Sequence, residues 1–182
     1  MEILLSSEKF IKQVTSISDN VAGKYILPSL REAQEVGLKG ILGGCLLERL
    51  KSLVSDGSID REENAAYKEL LDRCQYYLAY RTMVEVCIKV SYKVGNFGVV
   101  KTTDEHVESA TSDEIVRMQH YYEDKADGLC YGLQGWILDN RDFFPELEDC
   151  DCDRIESNLY SAASCGIWLG GPRGRKLPGG RC

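Results

Sequence analysis

Apolar positions recur at helical spacing in two long blocks and several short ones. The longest block runs from Asp60 to Lys93 without a proline or glycine, and Tyr67, Leu70, Leu71, Cys74, Tyr77, Leu78, Val84 and Ile88 fall three or four residues apart along most of it. Fully helical, it would extend about 50 Å. Asp60 and Glu63 form a D-x-x-E variant of the capping box at its start, with carboxylates where the helix dipole favours them. The β-branched run from Val84 to Val94 weakens the last two turns. A second block opens with a T-x-x-E box at Thr111 and Glu114 and carries Ile115, Met118, Tyr122, Ala126, Leu129, Leu133, Trp136 and Ile137 on one stripe. It should end near Asn140, ahead of Phe143-Phe144-Pro145. Gly128, Gly132 and Gly135 lie inside it. Each costs about 1 kcal/mol relative to alanine, which predicts close backbone packing against a neighbour.

Shorter segments precede these blocks. Ser6 or Ser7 can cap a short helix that follows the apolar run Ile3-Leu4-Leu5 and stops at Ser18-Asp19-Asn20. A helix from about Lys24 to Val36 would hold Pro28 in its first turn, where a missing N–H costs little. Glycines at 37, 40, 43 and 44 then predict a helix-linking turn, and a helix from Leu46 to Val54 closes at Ser55-Asp56-Gly57. Between the long blocks, Gly95-Asn96 breaks the periodicity, Phe97 to Val100 reads as a short strand, and Lys101 to Ala110 as a polar loop. The expected fold is mainly α: a helical bundle with two long helices, a short strand and loop between them, and an extended C-terminal arm. Residues 1–147 form the helical domain and 148–182 the acidic loop and docking arm.

The chain has 182 residues and a formal net charge of −7, which argues against a sequence-independent nucleic-acid binder. The opening residues show no signal peptide and no run is long enough to span a bilayer, so the eight cysteines are expected to be mostly reduced, as small hydrophobes in the core. Cys150 and Cys152, with Cys165 and Cys182, lack the paired spacing of a zinc site. Asp149, Asp151 and Asp153 open like an EF-hand loop, but Arg154 stands where the glycine belongs and Tyr160 where the final glutamate does. The glycines at 37–44 are not followed by the Lys-Ser/Thr of a phosphate loop. Tyr76, Tyr77 and Tyr80, at helical spacing in an acidic chain, read as core or interface rather than a base-stacking platform. His106 and His120 complete no nucleophile–base pattern. No enzymatic activity, cofactor or metal is expected.

Two stretches carry a family resemblance: residues 26–50, ILPSLREAQEVGLKGILGGCLLERL, and residues 93–147, from the Gly-Asn turn and G-V-V through T-D-E-H, Lys125-Ala126-Asp127 and the closing Asn-Arg-x-x-x-Pro-Glu. They resemble the head–tail connector (adaptor, or ring) proteins of tailed bacteriophages, in particular those of phages infecting Bacteroides-like hosts, including the crAss-like phages. The resemblance implies a structural virion protein whose copies form a ring, generally dodecameric, beneath the portal. Such a ring joins capsid to tail and extends the DNA channel. It implies as partners further copies of the chain, the portal protein, and tail or further ring proteins. Genomic DNA would pass without sequence-specific binding, and no membrane is involved. The protein would be made in the bacterial host cytoplasm and reside at the portal vertex, or neck, of the virion. The alternatives are a host-encoded helical protein of scaffolding or regulatory type, and a metal- or nucleotide-dependent enzyme.

The arm departs from the shorter connectors. An acidic cluster over residues 146–156 gives way to the apolar island Ala162 to Leu169, then to a glycine- and proline-rich end holding Arg173, Arg175, Lys176 and Arg181. Such a segment needs a partner surface to offset the entropy lost on ordering. The expected interface residues are Ile167, Trp168 and Leu169, with Trp168 as anchor and Arg173 and Arg175 pairing with carboxylates on an adjacent subunit or the portal, or with DNA phosphate.

Overall fold

The computed structural model describes residues 3–95, 98–101 and 110–149. The fold is mainly α, as the periodicity predicts. Helix α1 spans Glu8–Val14 and α2 Gly23–Glu32; a π-helical turn, Ala33–Leu38, leads into α3, Lys39–Ser55. Helix α4 is Ala65–Ser91, strands β1 and β2 are Tyr92–Gly95 and Gly98–Lys101, α5 is Ser112–Asp139, and the short α6 is Glu146–Asp149.

The two long helices pack together as the centre of the bundle. Tyr80 meets Tyr122 with ring centroids 6.3 Å apart, and Arg73 lies 4.8 Å from the Trp136 ring centroid, so the helices run antiparallel. The antiparallel hairpin β1–β2, with Gly95 opposite Gly98, turns the chain between them. Helix α4 is the hub, touching α1, α2, the π turn and α5. Its predicted stripe is the core: Tyr67, Leu70, Cys74, Tyr77, Leu78 and Val84 are buried, and Ile88 marks its exposed end. On α5, Ile115, Tyr122, Ala126, Leu133 and Ile137 are buried, whereas Met118 faces out.

The two predicted caps have different fates. Thr111 and Glu114 form a complete capping box, the Thr111 hydroxyl accepting from the Glu114 N–H at 3.3 Å and the Glu114 carboxylate from the Thr111 N–H at 2.7 Å. Asp60 caps nothing. A 3-10 turn, Glu62–Asn64, intervenes, and Asp60 pairs instead with Lys68 at 2.8 Å. At 27 residues α4 is therefore about 40 Å long rather than 50 Å. Ser7 is the N-cap of α1, accepting from the Phe10 N–H at 3.1 Å. Gly57, at φ +66°, closes α3: its N–H donates to Val54 O and that of Ser58 to Leu53 O, the Schellman arrangement.

The helix-linking turn expected of the glycine-rich stretch narrows to one residue. The chain is helical through the π turn and into α3, and then breaks at buried Gly43, whose non-helical φ of 75° and ψ of 166° suit glycine, so that α3 is two helices joined across a kink. Pro28 is correspondingly inside α2 rather than in its first turn. The N-terminal strand of chain is strapped on by side chains: Gln34 accepts from the Leu5 N–H at 2.8 Å and donates to Ile3 O at 2.9 Å, and Gln75 donates to Leu5 O at 2.9 Å. Cys74, Cys87 and Cys130 are free thiols, as expected. Cys45 departs from that expectation, being disulfide-bonded.

Candidate interaction sites

The predicted docking residues Ile167, Trp168, Leu169, Arg173 and Arg175 lie outside the described residues, as do His106 and the cysteines from Cys150 onward. What the described part fixes is the point from which the arm departs. Tyr67 donates its hydroxyl to Glu146, 2.9 Å from either carboxylate oxygen, and Arg49 lies 3.5 Å from Glu146. Phe144, fully buried, sits edge-on to Tyr67 at 5.3 Å and tilted on Trp136 at 5.8 Å. Arg73 covers the outer face of this cluster through Trp136. Burial first, then the bond to Glu146, pushes the Tyr67 hydroxyl up to about 12. The clamp joins α3, α4, α5 and α6 at one end of the bundle.

A second feature lies on the π turn. The extra residue in the π turn widens the helix, and Val36 stands 72% exposed, while neighbouring Gly37 rests on the Tyr77 hydroxyl. A Cβ at position 37 would come within 2.5 Å of that oxygen, so any larger residue here would have to displace the buried Tyr77 side chain. Burial pushes the Tyr77 hydroxyl up to about 12. Beside it, Glu32, Ala33, Val36, Gly37, Arg81 and Glu85 line a cleft of about 50 Å³. Lys89 ties back both carboxylates, 3.2 Å from Glu32 and 3.6 Å from Glu85. Arg81 is half-buried and makes no hydrogen bond or ion pair with any described residue. Sequence reading did not single out this cleft. One signal was present: Arg81 falls four residues after Tyr77 and three after Leu78, a lone cation on an apolar stripe.

The third feature is the outer face of α5. Gly128, Gly132 and Gly135 do not pack against a neighbour, contrary to expectation: a Cβ at any of them would meet nothing within 4 Å. They sit on the solvent side of the helix, where Tyr121 and Tyr131 are also about half exposed. His120, on the same helix, is exposed and 3.4 Å from Glu123. No group of three or more potential metal ligands occurs among the described residues, and no helix there is long and apolar enough to cross a membrane.

Residues 38–156 match the family DUF6712, a family of unknown function. The chain belongs to that family. The DUF6712 match takes in α3 to α6, and with them the clamp and Arg81, and runs on through the acidic segment to residue 156. No curated protein and no solved structure matches the chain.

Proposed function

We propose that the protein is a structural head–tail connector of a tailed bacteriophage, forming a ring, dodecameric by the family resemblance, beneath the portal. The observation that carries this reading is the resemblance over residues 26–50 and 93–147. Features of the fold support it. A rigid antiparallel pair of long helices gives each copy a wall-like body. The outer face of α5, with exposed aromatics beside bare glycine backbone, suits close approach by a neighbouring copy. The clamp of Tyr67, Glu146 and Phe144 fixes the chain just ahead of the segment this reading takes as the docking arm. In the ring, Trp168 would anchor the arm and Arg173 and Arg175 would pair with acidic side chains of the adjacent subunit. The net charge of −7 lets DNA pass the channel without adhering. The protein performs no turnover in this reading.

Co-expression with the portal protein encoded in the same genome, followed by size-exclusion chromatography with light scattering, tests the assignment. Co-elution as a large complex holding many copies is the expected result. A protein that stays monomeric and apart from the portal at all ratios contradicts it.

A further inference from the structure

We propose that Cys45 and Cys150 form a redox-dependent staple that ties the chain leaving α6 to α3, beside the Tyr67–Glu146 clamp. The bond at Cys45 is the starting observation. Cys45 is partly buried and disulfide-bonded, whereas Cys74, Cys87 and Cys130 are free thiols. Its partner is therefore one of the cysteines beyond the described residues: Cys150, Cys152, Cys165 or Cys182.

Register selects among the four. Arg49 and Glu146 meet at 3.5 Å, where α6 touches α3. Cys45 lies four positions before Arg49, on the helical piece of α3 that follows the Gly43 break. That is one turn, roughly 6 Å along the axis and about 40° around it. Cys150 lies four positions after Glu146 and directly follows α6, so the helical phase of α6 carries it to the Glu146 side. In the same phase Cys152 falls about 240° from Glu146, away from α3. The proposal sets α6 antiparallel to α3 at the Arg49–Glu146 contact, the direction that takes Cys150 toward Cys45 rather than toward Leu53. The two cysteines then come level, where a disulfide needs Cα atoms about 4.4–6.8 Å apart. Anchoring favours the same residue. Tyr67 and Arg49 hold Glu146, so Cys150 is four residues from a fixed point, whereas Cys165 and Cys182 are 19 and 36 residues from it. Closing those longer loops costs more entropy.

The chemistry is thiol–disulfide exchange with a small disulfide such as oxidised glutathione. One cysteine thiolate of the pair attacks it, releasing one glutathione thiol and leaving a mixed disulfide; the second cysteine thiolate then displaces the other glutathione. The two cysteines together give up two protons and two electrons, and the glutathione disulfide is reduced to two thiols. The free cysteines stand apart from this exchange, because burial pushes the Cys74, Cys87 and Cys130 thiols up and keeps them protonated. Under reducing conditions α6 is held by the clamp alone, and oxidation adds a covalent tie to α3. The inference is independent of the ring assignment.

The test takes full-length protein, dilute, equilibrated with oxidised glutathione, alkylated and digested without reduction for tandem mass spectrometry. The expected product is a cross-link within one chain from Cys45 to Cys150, with Cys152 alkylated, and dithiothreitol should reverse it. The oxidised wild type should melt about 5–10 °C above the reduced form. Amides of residues 144–149 should also exchange more slowly in it. Both differences should vanish in Cys150→Ser and survive in Cys152→Ser. The wild-type comparison needs no substitution, so a poorly folding variant leaves it intact. A bond from Cys45 to Cys152, Cys165 or Cys182, or a cross-link between two copies, overturns the proposal. So does a Cys45 that stays a thiol or stops at the mixed disulfide, or an oxidised form that melts no higher than the reduced one.

Discussion

Leu133, 2% exposed on the inner stripe of α5, should behave as a cavity site. Leu133→Ala is expected to cost about 2–5 kcal/mol in denaturant unfolding, and a change within about 0.5 kcal/mol would contradict its place in the core. Gly37 makes the opposite test. Gly37→Ala should cost about 1–3 kcal/mol by overpacking against the Tyr77 hydroxyl, and Tyr77→Phe in the same chain should recover part of that cost. The tyrosines also set a pH response. Folding raises the Tyr67 and Tyr77 hydroxyls to about 12 from an ordinary value of 10, so the folded state holds its protons where the unfolded chain loses them. Their stabilisation is therefore complete below about pH 10 and is lost as pH rises toward 12. Tyr67→Phe should flatten that alkaline fall in stability, and an unchanged slope would show that the clamp does not hold the proton. The buried leucine was legible from spacing alone. The Gly37–Tyr77 contact was not, because it joins residues forty positions apart through a helical register that only the packed structure sets.

At the scale of elements, capping chemistry was legible where sequence and geometry agree and misleading where a tertiary partner competes. Thr111 and Glu114 close their box, whereas Asp60 turns to Lys68 and the helix starts later. Thr111→Ala should accordingly cost about 1 kcal/mol, and Asp60→Ala should leave stability essentially unchanged, its exposed pair with Lys68 being screened by solvent. Comparable losses from both would mean that Asp60 caps after all. The glycine run at 37–44 was legible as a junction between helices but not in its extent. Gly43, at positive φ, leaves helical geometry, while the π turn and the two helical pieces of α3 on either side keep Leu38, Ile41, Leu42 and Leu46 buried. On α5 the three glycines are free of any neighbour, so each change to alanine should stabilise the protomer by about 0.5–1 kcal/mol. Destabilisation would show a contact within the protomer, and a stabilised triple variant that no longer associates would place the glycines at an interface.

The whole molecule is where sequence pattern was strongest and sequence chemistry weakest. Two long amphipathic stripes, Tyr67 to Val84 and Ile115 to Ile137, declared a mainly α bundle with an antiparallel centre because burial requires each stripe to face the other. No comparable rule reads a connector from a list of residues. Its function would lie in surfaces that meet other chains, and residues such as Trp168 and Arg173 carry no catalytic spacing to betray them. Exposed Tyr121 beside the bare glycines of α5, and Arg81 without a hydrogen bond or ion pair to a described residue, are places where this protomer has surface left for other chains. The most direct test of the proposed ring assignment is electron microscopy of the neck in the tailed-phage particles to which the proposal assigns this chain. The account predicts a ring of about twelve copies of this fold beneath the portal, with α4 and α5 resolved in each subunit and adjacent subunits in contact. A neck assembled without this chain, or with the chain present in one or two unsymmetrical copies, would contradict it.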